Sequence, residues 1–169
     1  MNDAHWHLVV NHLPVIAAPL VFVLLLYGIA RHEPVVIRAA LIGVVLAALF
    51  TFMAGWTGDG AKDMVEGMAG VDASAISPHE DRADVSLTVI EITGGFTLLV
   101  LLSEIGVLGT ACRGFATRQS RALTIFVAGG LGISSALLAS TASLGGRIHH
   151  PEIEMAQPAA RSEQGKAGD

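Results

Sequence analysis

The sequence predicts an all-α membrane protein, a four-transmembrane-helix bundle with both termini on the outer side. Three observations carry that expectation. Of 169 residues, 52% are hydrophobic and only 15% are charged, whereas soluble domains carry about 25% charge. Mean hydropathy is +0.59. Four apolar stretches each reach the roughly 20 residues that a helix needs to cross about 30 Å of hydrocarbon.

The spans are expected at about 8–30, 35–56, 85–110 and 122–144. Their length, and the lack of apolar/polar alternation, point to helices rather than barrel strands. The segment Met1–His7 has no Lys or Arg, so the first run reads as a retained span rather than a cleaved signal. Pro34 separates the first two spans and holds Glu33 extended. The loop 57–84 contains Ala61 to Met68, expected as a short interfacial helix. Ser77, Pro78 and Glu80 form a capping box opening the third span. Gly145-Gly146 is expected to end the fourth. Residues 1–153 form the transmembrane domain, and the polar tail 154–169 is expected to be disordered.

An even number of spans places both termini on one side, side A, together with the 57–84 loop. Side B holds the short connections, with Arg31, Arg38, Arg113, Arg118 and Arg121 against Glu33. The positive-inside rule puts side B in the cytoplasm and side A in the periplasm or exterior. In span four, Ala128, Gly132, Ala136 and Ser140 recur every four residues and invite close helix approach. Gly94-Gly95 offers span three the same.

Net charge is −5 and no basic patch or stacking series is present, which excludes nucleic acid as a partner. The single cysteine, Cys112, excludes an internal disulfide and a thiolate metal site. No nucleophile–base pair or phosphate loop marks an enzyme. The expected partners are the lipid bilayer and other membrane subunits or a second copy.

Of the seven histidines, all but His32 fall on side A. They are His5, His7, His12, His79, His149 and His150, from three segments that folding brings to one end. Imidazole is the commonest protein metal ligand, and two imidazoles from different helices clamp a haem iron axially. His12, His79, His149 and His150 are the expected cofactor ligands. His5, His7, His12 and His79 are the candidate metal set, with His5 and His7 equally readable as interfacial polar residues. Pro14 cannot donate to the carbonyl of Val10, which leaves an acceptor near His12.

Glu80, Asp84 and Glu91 line one stripe of span three, and with Asn11 they are the candidate partners or proton carriers. Glu91 falls within the apolar stretch, where a carboxyl is costly and marks a functional or paired site. Glu104 nears side B, within reach of Arg113 or Arg38. The chemistry expected is a haem b, or else copper or another metal ion, in a redox or electron-transfer setting. The alternative is a non-catalytic accessory or assembly subunit of a larger membrane complex. Proton transport through Glu91 is the weakest of the three, since few polar groups continue across span three.

The motifs His5-x-His7-Leu8-x-x-Asn11-His12-Leu13-Pro14, Thr57-Gly58, His79-Glu80 and Gly145-Gly146-Arg147-Ile148-x-His150-Pro151-Glu152 span most of residues 5–153. In these the chain resembles a group of small bacterial inner-membrane proteins, related in style to a domain of unknown function that opens on a His-Phe-Pro-like motif. The resemblance implies a four-span architecture in the bacterial inner membrane and no particular biochemical role.

Overall fold

A computed structural model describes residues 3–65, 68, 70–71, 73–118 and 120–149, and these are helical almost throughout. Five helices follow in order: α1 (Asp3–Arg31), α2 (Pro34–Val65), α3 (Ala73–Glu104), α4 (Thr110–Arg118) and α5 (Ser120–His149). Each of α1, α2, α3 and α5 is long and apolar enough to cross a membrane, and only 22% to 33% of each most apolar window is buried inside the protein. Most of every span therefore presents Leu, Val, Ile and Phe outward. A helix apolar all round has lipid on its free faces, and the chain is a multi-pass membrane protein.

The contacts run in a ring, α1 to α2, α2 to α3, α3 to α5 and α5 back to α1. Neighbours are antiparallel. The core is built of small and branched side chains: Ala18, Leu25, Ala40, Leu41, Val44, Ala47, Ala48, Ile90, Val127, Ala128, Leu131 and Leu138. Alanine in place of larger residues shortens the distance between axes, the device that holds helices together where lipid removes the hydrophobic drive. Gly94 faces Ala48 of α2, and Gly132 lies under the ring of Phe22. In the small stripe of α5, Ala128 is buried but Ala136 is exposed, so that stripe supplies contacts only along part of its length.

The B end is closed by tight turns. After α1, His32 adopts a left-handed φ of 54°. Glu33 N–H donates to Gly28 O at 3.0 Å and His32 N–H to Ile29 O at 3.3 Å, a Schellman cap. Pro34 then opens α2, where its missing N–H costs nothing. The same cap ends α3: Gly106 has φ 81°, and Val107 N–H donates to Leu102 O at 3.1 Å.

Four boundaries differ from the sequence reading. The run 85–110 is mostly apolar to its end, yet α3 stops at Glu104 because Gly106 takes the left-handed turn. Ala61 starts no separate interfacial helix, since α2 continues unbroken to Val65. Helix α3 opens at Ala73, which leaves Ser77 and Pro78 inside it rather than at a capping box. Gly145-Gly146 does not end α5, which runs on to His149. The tail 154–169 lies outside the described residues.

Candidate functional site

Two imidazoles are tied to neighbouring helices at the A end. His7 of α1 reaches α2, where its Nδ1 stands 3.0 Å from Ala54 O and 3.2 Å from Thr57 Oγ1. A carbonyl only accepts, so Nδ1 carries the proton and donates it. The Thr57 hydroxyl gives its own proton to the carbonyls of Met53 and Ala54, both at 3.1 Å. Gly58 lies against the ring, where a Cβ would meet Cε1 of His7 at 3.5 Å.

His79 repeats the arrangement one hairpin later. Its Nδ1 donates to Thr141 O of α5 at 3.0 Å. Gly145 lies against that ring more tightly, since a Cβ there would come within 3.0 Å of Cε1 and 3.2 Å of Nδ1. Ser86 and Thr141 share a hydroxyl–hydroxyl bond of 2.7 Å, which ties α3 to α5 at the same level. Ser86 is buried.

The two cradles have one design. In each, a histidine near the start of a hairpin's first helix donates Nδ1–H to a carbonyl on the second. In each, a glycine four residues beyond that carbonyl makes room for the ring, Gly58 after Ala54 and Gly145 after Thr141. Four residues are about one turn, so carbonyl and glycine share a helix face. The two rings are near enough for charge on one to be felt by the other. Each keeps Nε2 as its lone-pair nitrogen. A metal-bound histidine takes the same form, with the far N–H tied to a carbonyl that fixes tautomer and ring plane.

The remaining candidates are placed differently. His12 is exposed, and its Nδ1 donates to Leu8 O of its own helix at 2.6 Å. The acceptor it uses is therefore not the Val10 carbonyl beside Pro14. His5 is exposed. His149 closes α5, and its side chain, like the whole of His150, lies outside the described residues. Asn11 follows His7 by one turn, and its Oδ1 is buried with no hydrogen-bond partner. Among the described residues no three His, Cys, Asp or Glu side chains gather closely enough to hold a metal ion by themselves.

The acids divide. Glu80 pairs with Lys62 of α2 through both carboxylate oxygens at 2.9 Å. Asp84 is exposed. Glu91 is partly buried, and its Oε1 is a second buried atom without a partner. At the B end Glu104 meets Arg38 at 3.9 Å, one of the two arginines its position suggested.

Ser86 and Thr141 carry no signal in the sequence, because hydroxyl residues in apolar helices so often bond only their own backbone. No protein-family model, curated protein or solved structure matches the chain.

Proposed function

We propose that the A end of the bundle is a metal centre, held by Nε2 of His7 and Nε2 of His79, in a redox or electron-transfer setting. The metal is the iron of a haem b, or copper or another metal ion. The observation that supports this reading is the matched pair of cradles. Fixing one imidazole by a carbonyl is ordinary structural chemistry. Two from different hairpins, fixed the same way at one end of the bundle and each presenting Nε2, supply the donors that a two-histidine centre uses. Positioning costs are met by the scaffold, since both rings hang from rigid helices rather than loops.

With the arginine-rich B end in the cytoplasm, the centre faces the periplasm of a bacterial inner membrane. His5 and His12 flank His7 in sequence on α1. Glu80 and Asp84 lie on the same half of α3 as His79, and Glu91 lies about three turns further along it.

Absorbance and metal analysis of protein purified from cells supplied with haem and copper test the reading. A Soret band, or one metal ion per chain, is expected, and His7→Ala and His79→Ala each abolish it. A colourless, metal-free preparation overturns it. A stoichiometric protein partner retained by both variants would support the accessory-subunit reading instead.

A further inference from the structure

The turn after α3 leaves apolar side chains outside every span. Helix α3 stops at Glu104, but the apolar run goes on through Ile105, Val107 and Leu108. These three and Phe115 of α4 are 42% to 65% exposed. Helix α4 has nine residues, about 14 Å, far short of 30 Å of hydrocarbon. Spanning therefore does not account for its exposed phenyl ring.

The backbone of the turn suits a place with little water. The amides of Ile105, Gly106, Val107 and Gly109 donate to the carbonyls of Leu101, Ser103, Leu102 and Gly106 at 3.1 to 3.3 Å. Arg113 N–H donates to Gly109 O at 3.1 Å. Irregular backbone is tolerated beside lipid only where its polar groups find partners within the protein.

Three arginines accompany these apolar groups. Arg113, Arg118 and Arg121 are exposed, and among the described residues none of them pairs with an acid. The stem of Arg113 lies back over the turn, with Cδ 3.7 Å from where a Cβ on Gly106 would stand. That is how arginine covers apolar surface while its head stays polar. On α4, Ala116 is the buried residue. At about 100° per residue, Phe115 stands a quarter turn to one side of it and Arg118 nearly opposite. A short helix with an apolar flank and a cationic outer side is built to lie in the membrane interface. A partner in solution would answer the arginines but not the apolar side chains, which extend the lipid-facing surface of α3 and α5.

We propose that the turn after α3, with α4 and Arg121, is an interfacial anchor that takes anionic phospholipid. Ile105, Val107, Leu108 and Phe115 sit at the boundary of headgroups and acyl chains in the leaflet at the B end. Arg113, Arg118 and Arg121 hold headgroup phosphates, for which the planar guanidinium is suited. The inference depends neither on the metal centre nor on which compartment the B end faces.

Two measurements on the full chain in lipid vesicles test it. In the first, Phe115→Cys in a Cys112→Ser background carries a nitroxide. Frequent collisions with oxygen, and few with a water-soluble nickel chelate, are expected at the acyl boundary. Ready collisions with the nickel chelate put this side chain in water and overturn the anchor. Dipolar broadening that dilution with unlabelled protein removes puts a second copy on this face, and overturns it too. In the second, spin-labelled phosphatidylglycerol and phosphatidylcholine compete for the protein surface. A preference for phosphatidylglycerol of about fivefold or more is expected at low salt, the scale of one arginine near an anionic surface, and it falls as salt rises. Replacing Arg113, Arg118 and Arg121 together by Gln abolishes the preference, whereas Arg31→Gln at the end of α1 lowers it far less than Arg118→Gln. Equal losses in those two single variants, or a preference that survives the triple variant, overturn the role of these arginines.

Discussion

The two ends of the bundle are held together by different physics. At the B end the chain itself does the joining: left-handed turns at His32 and Gly106 reverse direction within a few residues. Its side-chain pairing is loose, with Arg38 and Glu104 3.9 Å apart and Arg38 about half exposed. At the A end side chains reach from helix to helix, His7 to α2, His79 to α5, Ser86 to Thr141 and Lys62 to Glu80. Polar groups that need only shape a turn or answer lipid charge stay on the outside. Polar groups that project between helices, each with a fixed tautomer, are costly unless they serve something.

The largest contrast between the ends is accessibility. Cys112 is exposed on α4 at the B end and is the lone thiol of the chain. A membrane-impermeant maleimide is expected to label it fully in inside-out vesicles and hardly at all in intact cells. Labelling from outside would invert the bundle and place the histidine pair in the cytoplasm.

Next in size is the glycine beneath each imidazole. Gly145→Leu drives a side chain into the space of the His79 ring and is expected to abolish metal binding, measured as metal per chain. Gly145→Ala, with its Cβ at 3.0 Å from the ring, weakens binding. Gly58→Ala, at 3.5 Å from His7, leaves it nearly unchanged. Equal effects at the two glycines would break the distinction between a tight cradle and a loose one.

At the B end the corresponding glycine serves backbone geometry alone. Gly106 has φ 81°, and the nearest atom to an added Cβ is the flexible Arg113 Cδ at 3.7 Å. Gly106→Ala is expected to cost about 1–2 kcal/mol of stability, the penalty for a left-handed alanine, with metal binding intact. Denaturation in detergent and metal analysis read the two separately.

Run length made the four spans legible, because lipid imposes a minimum of apolar residues on each crossing. Helix ends were not legible, since hydropathy marks where lipid stops and not where hydrogen bonding stops. Thus α2 continues through the polar stretch after Trp56 to carry Thr57, Gly58 and Lys62. Gly145 misleads for a related reason: a glycine late in an apolar helix looks like a stop, yet here it clears space for a ring 66 positions away in sequence, Gly145 to His79. His12 drew attention by its depth, but an imidazole four residues past a carbonyl can bond its own helix. The pairing of His7 with Ala54 spans 47 residues and that of His79 with Thr141 spans 62. No local pattern encodes contacts of that range.

The smallest effect is expected at a pair of opposite charges. Arg38 and Glu104 join α2 to α3 at the B end, as their places in the sequence implied. Their separation of 3.9 Å is at the outer limit of an ion pair, and the side chains are 53% and 25% exposed. Water and salt screen such a pair, and holding two long side chains together costs entropy. Glu104→Gln is therefore expected to change stability by about 0.5 kcal/mol or less, and less still in high salt. Lys62→Met removes the tighter A-end pair, which closes on both oxygens of Glu80 at 2.9 Å. It should cost more, about 0.5–1 kcal/mol, because bidentate geometry is what lifts an exposed pair above the median. If Glu104→Gln cost as much as Lys62→Met, the B end would depend on side chains too. The contrast between an end closed by turns and an end closed by side chains would then fail.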